Sequence, residues 1–257
     1  MGEKLGQVFL KEKTIIEKII RYSNLNQSDH VIEIGCGAGI LTEGLAKSVQ
    51  QLTVIELDPA CIAMTKERLA HCTNIHYIHS DVLKVDFSQF GPSVKIVANI
   101  PYYLSAKLIQ HLVPFKPYLA DIVIMIQKEF AGKLTAPVGT KAYTSLSVYS
   151  NFHFELSKLF DISKRCFTPV PKIDSTMIRL IPKSDTLDDM PLFEDILKAA
   201  FWARRKKLMT ALKKNPHRSF NIDFSSLTFF KEHPDFRAEN LSLTDFISLY
   251  KEVKSLS

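Results

Sequence analysis

Cysteine and long apolar runs are both scarce in this chain, and each shortage removes a class of protein. The four cysteines, Cys36, Cys61, Cys72 and Cys166, show no paired metal-ligand spacing, and the N-terminus carries no basic-apolar-small secretory pattern. The expectation is of reduced thiols in the cytoplasm rather than a disulfide scaffold. Eight histidines are scattered without a His-x-x-x-His pair or a carboxylate cluster, so no metal is expected. The most continuous apolar run, Ile122 to Ile126, is strand-sized, far below the roughly 20 residues of a membrane helix, and no membrane contact is expected. Internal repeats and low-complexity tracts are missing too. What remains is 257 residues, 46% hydrophobic and 23% charged, enough to bury a substantial core. An excess of 33 basic over 27 acidic residues gives +6, a mild bias toward an anionic partner.

Strand-sized apolar runs alternate with helical patterns through the first half. Ile15, Ile16, Ile19 and Ile20 recur at helical spacing; His30 to Ile34 then reads as a buried strand, followed by a glycine turn and a helix from Ile40 to Lys47. Further strands are expected at Leu52 to Glu56, Ile75 to His79, Lys95 to Ala98 and Asp121 to Gln127, with helices at Ala60 to Ala70 and Leu104 to Leu112. That order implies an α/β fold with a parallel sheet covered on both faces. Two late strands, Phe154 to Phe160 and Ser175 to Ile181, suggest an antiparallel closure. Pro182 to Pro191 reads as a linker, dividing the chain near Lys183 into residues 1–183 and a small all-helical domain, 184–257. In the latter, Ile196, Leu197, Ala200, Phe201, Leu208 and Leu212 form one helical stripe, and Leu241 to Lys254 a later helix.

The glycine turn carries chemistry. Gly35, Gly37 and Gly39 sit between a strand and a helix behind Glu33, where a backbone without side chains lets a ligand approach. Dinucleotide sites use G-x-G-x-x-G and offer a helix N-terminus to a pyrophosphate, which a carboxylate repels. A positively charged ligand suits Glu33 better, and S-adenosylmethionine carries both an ammonium and a sulfonium. Glu56 ends the next strand, where an acidic side chain accepts from ribose hydroxyls, and Asp81, with Val82 beside it, follows the third and could accept from an adenine amino group. Taken singly, Asp58 and Asp81 read equally well as caps or turn formers.

Asn99-Ile100-Pro101-Tyr102 follows the fourth strand directly. An adenine amino nitrogen is a poor nucleophile because its lone pair is delocalised into the ring, so its catalyst must orient it. The Asn99 amide oxygen and the Ile100 carbonyl could accept its two hydrogens, Pro101 would hold that carbonyl outward, and Tyr102 offers a face to a flipped base. An Asn-x-Pro turn with a packed tyrosine is the plainer alternative.

With these motifs together, the sequence resembles the ribosomal RNA adenine N6-dimethyltransferases over nearly its whole length, including Gly6-Gln7-Val8-Phe9-Leu10 and the run Phe167-Thr168-Pro169-Val170-Pro171-Lys172-Ile173-Asp174-Ser175. The resemblance implies a Rossmann-like class I methyltransferase sheet, S-adenosyl-L-methionine as cofactor, Gln7, Phe9 and Leu10 lining its pocket, and Phe167 closing on the target base opposite Tyr102. It departs from the family pattern at Val8, where a polar residue is usual, at the short and hardly basic leader Gly2 to Leu5, and at Tyr143-Thr144-Ser145-Leu146.

No acidic residue lies between Asp195 and Asp223, whereas Arg204, Arg205, Lys206 and Lys207 are consecutive cations expected on a helix. Contacts of this kind to RNA phosphates weaken steeply with salt, although a charge run can also be only a solvated face. Phe201 to Lys207 resembles the arginine-rich helix of the small-subunit enzymes. The resemblance therefore implies a cytoplasmic, monomeric enzyme that dimethylates N6 of two adjacent adenosines in small-subunit ribosomal RNA and has a part in subunit assembly. Alternatives are the large-subunit enzyme of macrolide resistance, an assembly factor with secondary catalysis, and a nicotinamide-dependent oxidoreductase.

Overall fold

The computed structural model describes residues 8–256. They pack as two units: the chain up to Ala131 with Glu155–Lys183, and Gly132–Phe154 with the chain from Ser184 onward.

In the first unit, β1 (Phe9–Leu10) leads into α1 (Lys13–Tyr22), which buries Ile16 and Ile19. Strands and helices then alternate as expected: β2 (His30–Ile34), α2 (Ile40–Ala46), β3 (Gln51–Glu56), α3 (Pro59–Arg68), β4 (Ile75–His79), β5 (Val94–Asn99), α4 (Ser105–Leu112) and β6 (Leu119–Gln127). Successive residues along β2, β5 and β6, which point to opposite faces, are buried alike, so the sheet is covered on both sides. After α5 (Lys128–Leu134) and α6 (Ser145–His153) come β7 (Phe154–Ile162), a short β8 (Phe167–Thr168) and β9 (Ser175–Pro182).

The seven-stranded sheet runs β4-β3-β2-β5-β6-β9-β7. Strands β2 to β6 pair in parallel, whereas β9 is antiparallel to β6. The later of the two C-terminal strands thus lies inside, between β6 and β7. From β2 the chain steps outward to β3 and β4, returns to β5 on the other side of β2, and continues to β6. Connections leaving β2 and β5 diverge, and a crevice opens at their carboxyl ends.

The second unit contains α6 with α7 (Met190–Phe201), α8 (Leu208–Lys214), α9 (Thr228–Glu232) and α10 (Leu243–Ser255). A single division near Lys183 therefore misassigns Gly132–Phe154. The reason is apolar: Val148 and Phe152 of α6 are buried with Leu192, Phe193 and Ile196 of α7, and the Phe152 and Phe193 rings stand 5.3 Å apart. Thr144 caps α6 reciprocally with Ser147, and the Tyr143 hydroxyl donates to the Leu241 carbonyl at 2.9 Å.

The expected stripe from Ile196 to Leu212 is also not one helix. It breaks after Phe201, so the basic run lies in the turn between α7 and α8. The Trp202 indole N–H reaches the Ala211 carbonyl at 2.9 Å and the Leu208 N–H reaches Phe236 at 2.7 Å, folding α8 back.

Phe152→Ala is expected to cost about 3–5 kcal/mol by leaving a cavity. Hydrogen exchange should accelerate in α7 and α10 while β2 and β5 keep their protection; equal acceleration in β5 would return α6 to the sheet unit.

Candidate active site

At the divergence of β2 and β5 lies a cavity of about 290 Å³. Its wall takes in Glu33 and Ile34 from β2, Gly35 to Ala38 from the following turn, Glu56 from β3, Asp81 and Val82 after β4, and Asn99 to Tyr102 after β5. Acidic residues and turns scattered over 70 positions of sequence thus meet because each ends a parallel strand.

The turn after β2 is shaped by close approach. Gly37 has φ +51°, and a Cβ there would stand 3.0 Å from the ring of Phe9. Phe9 is held in place by β1, which pairs antiparallel with β8 so that Phe9 faces Thr168 and Leu10 faces Phe167. The two motifs farthest apart in sequence, around Phe9 and Phe167, are therefore one ribbon. Val8, Phe9 and Leu10 line the cavity, Val8 giving it an apolar wall. Gln7 lies outside the described residues. Gly39 does not line the cavity: it begins α2 at φ +77°, where a Cβ would meet Thr65 at 3.0 Å, so its place in the motif is a packing requirement.

Three carboxylates around the cavity differ in how they are satisfied. Glu56 is anchored, one oxygen accepting from the Leu57 and Asp58 N–H groups at 2.8 and 2.9 Å and the other lying 3.5 Å from the Gly37 N–H. Asp81 caps the turn Val82–Lys84 through the Leu83 N–H at 3.0 Å. Glu33 is fully buried, and neither of its oxygens has a hydrogen-bond partner. Burial pushes its carboxyl up to about 8; the nearby Thr42 hydroxyl opposes the rise and the Glu56 charge adds to it. Burial likewise drives the neighbouring Cys36 thiol far upward, so it stays protonated and is no nucleophile.

Ile100 is buried, Pro101 has φ −57°, and Tyr102 opens a tight turn whose carbonyl accepts from the Ser105 hydroxyl at 3.1 Å. The Tyr102 and Ser175 hydroxyls are hydrogen-bonded at 2.9 Å. The Phe167–Ser175 run thus meets Tyr102 through its last residue. Phe167 itself is 1% exposed, packed in the core with Leu10, Cys36 and Met177, and does not line the cavity. The expected opposition of Phe167 and Tyr102 is not the arrangement observed, because pairing with Leu10 turns Phe167 into the core. Cavity residues that the motifs did not flag include Leu57, Tyr103 and Lys107. Leu57 is 48% exposed directly after Glu56 at a strand's carboxyl edge, and that position was its only sequence signal.

In the second unit the basic run splits. Arg204 pairs with Glu239 at 3.0 Å and donates to the Lys141 carbonyl at 2.8 Å, while Lys207 pairs with Asp235. Arg205 and Lys206 are exposed, with no ion pair among the described residues. Of the four cations expected to meet RNA, Arg204 and Lys207 are thus engaged by acidic partners from 235–239.

Residues 2–255 match the family model of the ribosomal RNA adenine dimethylases. The chain belongs to that family. It is 35% identical over 257 residues to the ribosomal RNA small subunit methyltransferase A of Legionella pneumophila, covering 98% of both chains. To the protein of the same name from Enterococcus faecalis it is 34% identical, covering 96% of this chain and 88% of the relative. Among solved structures, a dimethyladenosine transferase from Plasmodium falciparum superposes with a TM-score of 0.84 at 29% identity, covering 96% and 98% of the two chains. The 23S rRNA methyltransferase ErmE has the same fold, with a TM-score of 0.73 over 96% of this chain, at 23% identity.

As a ribosomal RNA adenine dimethylase the protein is an S-adenosylmethionine-dependent methyltransferase, and the nicotinamide reading falls. Its cavity fits the cofactor on observation: an orphaned buried carboxylate at Glu33 lacks the cation an amino acid's ammonium supplies, and Gly37 keeps clear the space a side chain would fill. Glu33 would then hold the ammonium, and Glu56, anchored by the Leu57 and Asp58 N–H groups, would accept from ribose.

This arrangement has a pH signature. Between about 4.5 and 8 the unliganded fold holds a proton on Glu33 that the unfolded chain has lost, so stability falls as pH rises through that window. Glu33→Gln is expected to flatten the fall. At pH 7 wild-type protein should release a proton on binding the cofactor, read by calorimetry in buffers of different ionisation enthalpy; no release would mean the carboxyl stays neutral.

Proposed function

We infer that the protein dimethylates N6 of two adjacent adenosines in small-subunit ribosomal RNA. The observation that carries this reading is the shared cavity: the Glu33 to Ala38 turn and the Asn99 to Tyr102 turn line one space at the divergence of β2 and β5. Small-subunit rather than large-subunit RNA is supported by relatives of 34–36% identity that carry the small-subunit name. ErmE, at 23% identity, speaks only for the fold.

When bound, S-adenosylmethionine supplies a methyl group on a sulfonium, which an amine can attack without prior deprotonation. Asn99 and the Ile100 carbonyl accept the two hydrogens of the adenine amino group and turn its lone pair toward that methyl. Pro101 holds the carbonyl outward, and Tyr102 stacks on the base, a contact worth about 1–3 kcal/mol. With its hydroxyl tied to Ser175, the Tyr102 ring is fixed in orientation. The residues Gln7, Phe9, Leu10, Gly35, Gly37, Glu56, Asp81 and Val82 serve the cofactor; Gly39 supports the turn. Phe167 serves the ribbon in which Phe9 sits rather than the base.

Arg205 and Lys206 contact RNA phosphates, and the ion pairs of Arg204 and Lys207 brace the turn that presents them. The same contacts support a part in assembly, because an enzyme that holds a subunit precursor withholds it from later steps. On this reading the protein works in the cytoplasm and as a monomer.

Incubation with labelled S-adenosylmethionine and, in parallel, undermethylated small subunits, large subunits and bare RNA tests the reading. Dimethyladenosine arising from small subunits is expected, and label in large-subunit RNA would overturn it. Asn99→Ala should lower turnover at least about 100-fold while cofactor affinity stays within about threefold. Replacing Arg205 and Lys206 with Gln should lower RNA affinity and reduce the salt slope by about 2, whereas Arg204→Gln should cost thermal stability first. An unchanged slope would make the turn a solvated face.

A further inference from the structure

Tyr102 is followed by a second tyrosine in the opposite situation. Tyr103 is 65% exposed, the most exposed of the large hydrophobic side chains among the described residues, yet it lines the cavity. It makes no hydrogen bond through its hydroxyl among the described residues, in contrast to the tethered Tyr102. Lys107, four residues on, also lines the cavity and is exposed. Tyr103 lies in the tight turn Tyr102–Leu104 and Lys107 in the first turn of α4, which follows it directly. The stretch from Ile100 to Leu112 contains no acidic residue, and Lys107 forms no ion pair among the described residues. A solvated aromatic ring and an uncompensated cation thus stand together on the lip of the site.

Catalysis on a base held in a stack requires the target to swing out, which strips its neighbour of one stacking partner. The neighbour's phosphates must then pass the lip of the cavity. We propose that Tyr103 and Lys107 form a subsite for the nucleotide flanking the target adenine, Tyr103 stacking on its base and Lys107 meeting its phosphate. The proposal deepens the reading of the cavity as an adenine N6 site and rests on it. Since the two modified adenosines are adjacent, one of them is the flanking base on the subsite's side of the strand while the other reacts, and an aromatic face accepts adenine before and after methylation. An exposed tyrosine beside a cofactor cavity has one other use, as a lid on the cofactor, and the two are separable.

The test measures methylation of undermethylated small subunits, with the native adenine pair and with one adenine of the pair replaced by uridine, a weaker stacking partner. Tyr103→Ala should lower kcat/KM on native subunits by roughly tenfold, Tyr103→Phe and Tyr103→Trp should retain activity, and Tyr103→Ala should respond less than wild type to the uridine replacement. Lys107→Gln should reduce the salt slope of subunit binding by about 1. Cofactor affinity, read by calorimetry without RNA, should not move in any of these variants. Weaker cofactor binding in Tyr103→Ala would assign the ring to a lid and overturn the subsite. Equal sensitivity of wild type and Tyr103→Ala to the uridine replacement would overturn it as well. Wild-type protein that methylates no small subunit would instead bring down the reading of the cavity, and the subsite with it.

Discussion

The parallel pairing of β2 with β5, between connections that leave in opposite directions, is the constraint on which the rest of this molecule depends. Parallel strands end at the same edge, so the turn after β2, the acidic ends of β3 and β4 and the turn after β5 are delivered to one rim without any contact having to gather them. Divergence of the two connections then leaves that rim open. Had the chain continued from β4 to a strand on its far side, the same residues would sit in two separated places.

The first unit was largely legible in the sequence because its signals are local. A buried parallel strand is a short apolar run, a turn into a helix needs glycine, and the two alternate at a regular interval from His30 to Gln127. Glu33, Glu56, Asp81 and Asn99 could be placed on one edge by counting strands, and they line one cavity. What failed was long-range and depended on packing partners. Nothing in Val148 and Phe152 announces that they belong with Phe193 rather than with the sheet. Phe167 carries the same ambiguity: an aromatic in a proline-stiffened run can face a ligand or a core, and its antiparallel partner Leu10, more than 150 residues away, decides for the core.

The basic run illustrates a related limit. Charge is visible in sequence, but its compensation is not. Arg204 and Lys207 are neutralised by Glu239 and Asp235, which lie about 30 residues further along the chain. Half of the apparent field is therefore structural, bracing the turn between α7 and α8, and the half directed outward is carried by the two middle residues. Helical periodicity also misleads here, because the apolar stripe resumes after Leu208 with little change of phase, hiding the break that the Trp202 indole stabilises.

The hydrogen bond between Tyr102 and Ser175 bears on how one active centre accepts three successive forms of the same base. Unmodified, singly and doubly methylated adenine differ in their capacity to donate hydrogen bonds, and a phenol free to accept from the amino group would favour the first. With its hydroxyl tied to Ser175, the ring keeps one orientation whatever substituents the base against it carries. A face held in that way is the same for a base that has received a methyl and for one that has not.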